Sequence, residues 1–405
     1  MAIKQKYLGM LFCLGLLIIP CGSLFAKTPD PGGIAAGNVI INLGIAADVG
    51  YDSNVGHDTK GNEVQDGFID ATAKVRTHLN DNEQFDWNAL VLFNWQERFG
   101  LGTFQGQERT PDGGFTLRAS TGADLWKQST IRLAPSISYT YLDDPEDDFM
   151  REDLKNHTIN AGTHFYIQPG SGKVFSERLS YFIRPKIYAE QDTLGNIAAT
   201  DLSHLYHKVE SLTRWNFLPV SSLTLDVDFR IVQYLNETAQ NTSSFPIRAK
   251  LGLQGLLLSR LHYNLNLGYA YSFYQDDVNE HMFIMDFSLG YSFNSNISLS
   301  VNYRKDFENS NVGNFFKYHT AGIRFNGLFI DHISTDLEFT FNYMLYRGGS
   351  SDGRIDTLYA ANAGIDYVFF PGFSIGLDYK MRILNSSNTD DYMKHQVDFR
   401  ISYEY

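Results

Sequence analysis

The chain has 405 residues, of which 43% are hydrophobic and 14% aromatic, and its 33 basic and 46 acidic residues give a formal charge of −13. This composition excludes a disordered or collagen-like chain, because such chains carry few aromatic residues. The acidic balance also argues against a nucleic-acid partner, since binding to phosphate backbones needs clustered Lys and Arg.

Residues 1–26 have the pattern of a cleaved secretory signal peptide. Lys4 and Lys6 precede an apolar run from Tyr7 to Ile19, and a small-residue cleavage site ends at Ala26. The run of about 13 residues is shorter than the ~20 that a membrane-spanning helix needs. We therefore predict export and removal of this segment.

The predicted mature chain contains no cysteine. Both cysteines, Cys13 and Cys21, lie in the signal peptide, so disulfides and thiolate metal sites are excluded after cleavage. We predict that residues 27–40 form a short periplasmic segment and that residues 41–405 form one domain.

From residue 41 onward, apolar residues occupy every second position. Ile41, Leu43, Ile45 and Val49 alternate with small or polar residues, which predicts a strand with one apolar face. Eighteen such segments follow one another, with cores at 41–51, 68–79, 84–96, 114–126, 130–142, 154–167, 175–188, 202–217, 222–235, 245–257, 261–274, 281–293, 297–307, 315–329, 333–346, 354–369, 373–384 and 392–405.

The lengths of these segments and of their connections favour a membrane barrel. The segments have 11 to 16 residues, whereas soluble strands commonly have ~5–6 and tilted membrane strands need ~9–11. Long connections such as 97–113 follow odd segments, and short turns such as 370–372 follow even ones. We predict an all-β fold, a transmembrane antiparallel up-and-down β-barrel of about 18 strands (16–18) with long extracellular loops and short periplasmic turns. The alternative is a large secreted β-protein, but we find no fixed repeat period of a β-helix or propeller.

The alternation continues to an aromatic residue at the C-terminus, through Val397, Phe399, Ile401, Tyr403 and Tyr405. This pattern resembles the C-terminal strand of bacterial outer-membrane proteins. The resemblance implies periplasmic chaperones and the barrel-assembly machinery as partners, and insertion into the Gram-negative outer membrane.

The segment Val49–Val55, with the sequence VGYDSNV, resembles the opening strand of a family of β-barrel porins, some of them linked to exopolysaccharide export. The resemblance covers one strand and implies a channel.

The polar face of the predicted strands would line the lumen. Strands seven to ten carry a set of inward cations, which we call the basic arc, and strands fifteen and sixteen carry inward acids. The basic arc consists of Arg178, Arg184, Lys186, Lys208, Arg214, Arg230, Arg248 and Lys250, and the acids are Asp336, Glu338 and Asp366. Opposite charges on facing walls would create a transverse field that steers anionic or zwitterionic solutes. The alternative is that these lumen charges pair with one another along the wall and only take the place of a hydrophobic core.

Several basic residues have outward parity near strand ends predicted to be extracellular. A cation at the interface costs little, whereas at mid-bilayer it costs ~2–4 kcal/mol. We hypothesise that these side chains contact outer-membrane lipid and the phosphates of lipopolysaccharide. They are Lys155, His157, His281, Lys317 and His319.

No motif in the sequence indicates catalysis, a cofactor or a metal. Zinc-binding helices, phosphate-binding Gly-rich loops and a Gly-x-Ser-x-Gly elbow are absent from the sequence. The acidic segment 143–153 holds seven acids but lacks the ligand spacing and glycine of an EF-hand. We predict neither a defined metal site nor catalytic residues.

The predicted function is an outer-membrane, porin-like channel for small hydrophilic solutes of anionic or zwitterionic character. The alternatives are a closed structural or adhesive surface protein and an exopolysaccharide export channel. A homo-oligomer is compatible with each of these three functions.

Overall fold

A computed structural model describes most of the predicted barrel. The described residues are 33–54, 65–79, 85–100, 103–104, 107–108, 113–142, 155–172, 174–188, 193–194, 197–236, 242–275, 279–309, 315–329, 332–348, 351–388 and 391–405. The predicted signal peptide and the acidic segment 143–153 lie outside them.

Eighteen long antiparallel strands form the wall of the barrel. They are β1 (Val39–Asp52), β2 (Asp66–Leu79), β3 (Phe85–Arg98), β4 (Gly113–Leu125), β5 (Ile131–Leu142), β6 (Asn156–Ile167), β7 (Phe175–Tyr188), β8 (His204–Leu218), β9 (Ser221–Tyr234), β10 (Ser244–Leu258), β11 (Leu261–Tyr274), β12 (Glu280–Ser292), β13 (Ile297–Asn309), β14 (Phe315–Phe329), β15 (Ile333–Arg347), β16 (Ile355–Phe370), β17 (Phe373–Ser386) and β18 (Tyr392–Glu404). The predicted all-β barrel of 18 strands is confirmed, and every strand boundary falls within two residues of its prediction.

The barrel closes where the last strand pairs with the first. Nine residue pairs join β1 to β18, from Gly44 opposite Glu404 to Asp52 opposite Gln396. Beyond them, the backbone N–H of Tyr405 donates to the carbonyl of Leu43 at 2.7 Å. Each long strand therefore has a neighbour on both sides, and the wall has no exposed edge.

A short strand, Ile34–Ala36, precedes the barrel. It pairs antiparallel with the beginning of β1, with Ile34 opposite Ile41 and Ala36 opposite Val39. This pairing lies on the edge of β1 that β18 does not reach. Part of the predicted N-terminal segment is thus built into the sheet.

The two ends of the barrel differ in their connections. Residues 53–65 connect β1 to β2, whereas only Pro371 and Gly372 connect β16 to β17. We call the end with the connections after odd-numbered strands the loop end and the opposite one the turn end. At the turn end, Gly372 has a φ of 89°, a conformation that favours glycine in tight turns.

The outer surface of the barrel is apolar. Val49, Ile365, Leu377 and Phe399 face outward and are 44 to 51% exposed, as is Tyr367. A soluble monomer rarely exposes so large an apolar surface, so this surface is suited to contact lipid. The described residues contain no helix that is long and apolar enough to cross a bilayer.

Candidate functional site

The lumen is lined by the residues that alternate with the apolar outer residues. On β9, Val227 faces outward, whereas Asp226 and Asp228 face inward. In the register with β10, Asp226 lies opposite Lys250 and Asp228 opposite Arg248. Strand alternation therefore places ionic pairs inside the barrel.

Most of the basic arc is paired with carboxylates. Between described residues, five of its eight cations make ion pairs with the carboxylates named next. The pairs are Arg178 with Glu210, Lys208 with Glu210, Arg230 with Asp228 at 2.6 Å, Lys250 with Asp226 at 3.1 Å, and Arg248 with Asp306 at 3.1 Å. The arc thus carries eight cations against four carboxylates, and its positive excess is smaller than the basic residues alone suggest.

The other three cations of the basic arc contact uncharged groups. The contacts are Arg184 over the Tyr206 ring at 5.2 Å, Lys186 over the Tyr188 ring at 4.9 Å, and Arg214 Nη2 with the amide oxygen of Gln254 at 3.1 Å. Among the described residues, no carboxylate forms an ion pair with Arg184 or Arg214. These two guanidiniums contribute positive charge to the arc that no described carboxylate pairs with.

The predicted inward acids belong to two separate groups. Asp336 Oδ2 lies 2.8 Å from Arg324 Nη2, and Glu338 lies opposite Arg324 in the register. Asp366 Oδ1 lies instead 3.1 Å from Arg400 Nη2 on β18. Within the described part of the chain, no three His, Cys, Asp or Glu residues are grouped so that they could hold a metal ion.

Five inward carboxylates lie on the strand of Arg400 and on the two strands to each side of it, and we call this group the acidic wall. In the register, Asp48 lies opposite both Asp70 and Arg400, and Asp378 lies opposite Asp398. The members are Asp48, Asp70, Asp366, Asp378 and Asp398, on five consecutive strands from β16 through the closure to β2. Asp48 was not predicted as an inward acid, although its inward parity on β1 was a sufficient signal.

The basic arc and the acidic wall lie on opposite sides of the lumen. The arc is centred on β8 and β9, and the wall is centred on β18. These positions are eight to nine strands apart in a ring of eighteen, which is about half the circumference.

The loop end of the lumen is lined by apolar side chains, which we call the apolar collar. Two buried clusters form it, each from inward positions on neighbouring strands together with the loop-end residues of β13 and β14 (305–309 and 315–317), which we call the hairpin tip. The members are Ala270, Tyr274, Met282, Ile284, Phe307 and Phe315 in one cluster, and Phe316, Met344, Tyr346, Leu358, Leu384 and Tyr392 in the other. The collar was not predicted from the sequence. Apolar residues on both faces of a strand, as in Met282–Ile284, were the available signal.

Near the loop end, β13 separates from β12 and lies on the inner side of the wall. Their pairing stops where Met285 lies opposite Lys305, although β13 remains paired with β14 to its end. Phe307 is 0% exposed and packs with Met282 and Ile284 on the inner face of β12. The tip of the β13–β14 hairpin thus lies inside the wall and narrows the mouth.

Arg248, on β10, holds this hairpin tip against the inner face of the wall. Its Nε lies 3.1 Å from Asp306 Oδ1, and its Nη2 donates to the carbonyl of Phe307 at 2.5 Å. Its guanidinium carbon also lies 4.6 Å from the centre of the Phe307 ring. Arg248 is 2% exposed, so the ion pair is shielded from water.

Because the hairpin tip lies inside the wall, Lys317, which the sequence predicts to contact lipid, contacts β12 instead. Its Nζ lies 2.6 Å from Glu280 Oε1 on β12, because the outward face of the hairpin tip meets the inner face of β12. The other predicted lipid contacts lie near the loop end. Lys155 directly precedes β6, and His157, His281 and His319 have outward parity on β6, β12 and β14.

The residues of the C-terminal pattern form one face of β18. Val397, Phe399 and Ile401 are 40 to 46% exposed on the outer surface. Tyr403 lies opposite Ile45 of β1 at the turn end. This face is continuous with the apolar surface of the barrel.

A closed barrel with an apolar outside and a charged inside defines a transmembrane β-barrel protein of the outer-membrane type. No family model matches the sequence, and no curated protein matches it. Solved structures with a similar fold include three Pseudomonas aeruginosa proteins: OccK7 (OpdD), with a TM-score of 0.52 and 11% identity, and OccK9 (OpdG) and OpdQ, each with a TM-score of 0.51 and 10% identity. Each match covers 91% of this chain and 99% of the other. The chain thus shares its fold with these three solved structures, and the predicted outer-membrane location agrees with a closed β-barrel.

Proposed function

We propose that the chain forms an outer-membrane channel through which small hydrophilic solutes diffuse, with a preference for anionic or zwitterionic ones. An 18-stranded barrel encloses more space than its inward side chains fill, as barrels of 16–18 strands leave an aqueous channel. The orientation follows from the connections, with the loop end at the cell surface and the turn end in the periplasm.

The observation that carries the proposal is the basic arc facing the acidic wall. A solute between them experiences a transverse field, and an anion is drawn to the side where Arg184 and Arg214 lack a described carboxylate partner. The phenol ring beneath Arg184 keeps its guanidinium at the lumen surface. Charged rings in pores set ion preference by this local potential.

The narrowed mouth favours small solutes over polymers. The apolar collar and the inward hairpin tip occupy part of the loop end, and Arg248 fixes the tip in place. An exported polysaccharide chain would need a wider or continuous polar path. We therefore favour a small-solute channel over an exopolysaccharide exporter and over an enzyme.

Single-channel recording of the refolded mature chain in a planar bilayer, with a salt gradient, tests the proposal. We expect discrete conductance steps and a reversal potential shifted toward that of chloride. Arg184→Glu should reduce this shift, whereas the matched variant Arg260→Glu, in the β10–β11 turn outside the lumen, should leave it unchanged.

Two results would overturn the proposal. A correctly folded barrel without current would indicate a closed structural or adhesive protein. An unchanged reversal potential in Arg184→Glu would remove the basic arc as the source of ion preference.

A further inference from the structure

Five histidine–tyrosine pairs recur on the outer surface near the loop end. In each pair the tyrosine Oη lies within hydrogen-bond distance of the histidine Nδ1. The pairs are Tyr139–His157 at 2.9 Å, Tyr181–His207 at 2.9 Å, Tyr269–His281 at 2.6 Å, Tyr303–His319 at 2.7 Å and Tyr379–His395 at 2.7 Å. We call the five histidines the histidine belt.

The geometry is the same in all five hairpins. The tyrosine is always on an odd-numbered strand, and the histidine lies on the following strand, opposite the residue two positions beyond the tyrosine. These opposite residues are Tyr141 for His157, Ile183 for His207, Tyr271 for His281, Lys305 for His319 and Met381 for His395. Such diagonal neighbours lie within reach of aromatic side chains.

This arrangement places each imidazole nearer to the loop end than its tyrosine. Every belt histidine is between the second and the fifth residue of its strand, counted from the loop end. Tyrosines at membrane interfaces keep their rings in the apolar layer and their hydroxyls at the headgroup level. The histidine above each hydroxyl therefore lies at the height of the lipid headgroups.

The tyrosine contact leaves one ring nitrogen of each histidine for a ligand. When the phenolic O–H donates to Nδ1, the neutral imidazole carries its proton on Nε2. Among the described residues, nothing bonds to the Nε2 of a belt histidine. In that tautomer, the protein positions five N–H donors at the lipid-facing surface.

Positive charges adjoin the belt. Lys155 precedes His157 by two residues, and Lys305 lies directly opposite His319 on the neighbouring strand. The remaining neighbours on this surface are mostly apolar, such as Phe283 opposite Tyr269. N–H donors and cations above an apolar layer complement a lipid that carries phosphate above its acyl chains.

We propose that the histidine belt binds the phosphate groups of a phosphorylated glycolipid in the outer leaflet of the membrane. Each histidine donates from Nε2 to a phosphate oxygen, and the tyrosine acts as a positioning residue by fixing the ring through Nδ1. The orientation of the barrel in this proposal rests on the proposed function, but the binding does not require an open lumen.

Binding of bisphosphorylated lipid A to the folded full barrel in detergent, measured by native mass spectrometry, tests the belt. The belt variant replaces His157, His207, His281, His319 and His395 by Phe, which keeps a ring on the lipid-facing surface. The matched control replaces His78, His262 and His332, at the turn end, by Phe. We expect the belt variant to bind at least tenfold more weakly and the control to bind like the wild type.

Dephosphorylated lipid A and inorganic phosphate separate the sources of binding. We expect the former to bind the wild type much more weakly than bisphosphorylated lipid A, and free phosphate not to displace the lipid. Equal binding of both lipid A forms, or wild-type affinity in the belt variant, would overturn the proposal. If the fivefold variant does not fold, the double variant His157→Phe, His281→Phe replaces it, and its unchanged affinity would overturn the proposal equally.

Conductance measured on the same preparations separates this proposal from the channel proposal. Loss of lipid binding with unchanged current supports the belt as a binding surface alone. If the barrel conducts but does not bind lipid A in a phosphate-dependent way, only the proposal for the histidine belt is refuted. If it binds lipid A but does not conduct, only the channel proposal is refuted.

Discussion

The carboxylate of Asp306 and the guanidinium of Arg248 form an ion pair at 3.1 Å although their strands, β13 and β10, are three positions apart in the wall. The contact exists because the end of β13 leaves β12 and lies inside the barrel. Both side chains are almost fully buried, at 4% and 2% exposure. This pair therefore fixes the shape of the mouth.

Replacing Arg248 by Met should destabilise the barrel and widen the mouth. Breaking a buried ion pair from one side costs about 3–5 kcal/mol, and we expect the lower value because Arg304 also contacts Asp306 at 3.3 Å. Urea unfolding in lipid vesicles would measure the loss, and single-channel recording should show larger steps. Adding Asp306→Asn should recover part of the stability.

The matched variant for this test is Arg324→Met. Arg324 also pairs with an inward acid, Asp336, but its side chain is 52% exposed. An exposed ion pair contributes about 0–1 kcal/mol. Equal losses of unfolding free energy in Arg248→Met and Arg324→Met would contradict the role assigned to Arg248.

Neutralising the acidic wall should strengthen the anion preference of the channel. In the variant Asp378→Asn, Asp398→Asn, two carboxylates beside Arg400 lose their charge, so the repulsion of anions from this wall decreases. The reversal potential under a salt gradient should move further toward that of chloride. Glu177→Gln is the control, because Glu177 accepts hydrogen bonds from Ser211 and Thr213 on the outward face; an equal shift there would refute the assignment.

Tyr405→Ala should impair assembly in cells but not refolding in detergent. The resemblance of β18 to the C-terminal strand of outer-membrane proteins implies that the assembly machinery reads the Tyr405 side chain, whereas the backbone bonds between Tyr405 and Leu43 survive the substitution. Heat-modifiable mobility in isolated outer membranes would report the assembled fraction. Tyr367→Ala, which removes another outward aromatic residue near the turn end, should assemble normally.

Gly372→Ala should lower the free energy of unfolding more than Gly170→Ala. Both glycines have positive φ, 89° and 59°, and a side chain there costs about 1–2 kcal/mol. A Cβ on Gly372 would in addition collide with the carbonyl oxygen of Glu404, whereas one on Gly170 would meet open space. Equal unfolding midpoints in urea would show that the collision is relieved without cost.

The sequence predicted the strands well because their pattern is local. Alternation such as Ile41, Leu43 and Ile45 fixes both the strand and the face that meets lipid, and any register error of one residue would reverse all the faces. The same parity assigned the basic arc to the inside. It also indicated the outward side of His157, His281 and His319, but not their pairing with tyrosines.

The details of the lumen depend on contacts that parity does not contain. Which carboxylate neutralises Arg248 is decided by β13, more than fifty residues away in sequence, and by the departure of that strand from β12. The inward-facing Met344 and Leu384 follow the alternation, yet their burial arises only when neighbouring strands and the hairpin tip come together.

The sequence by itself determined where the strands lie and which side chains face lipid, because a period of two along each strand is a property of neighbouring residues. Only the tertiary structure decided the shape of the mouth, the pairing of the lumen charges and the opposition of the two walls. These depend on closure of the ring between β1 and β18, which brings the ends of the chain together and sets every wall opposite another.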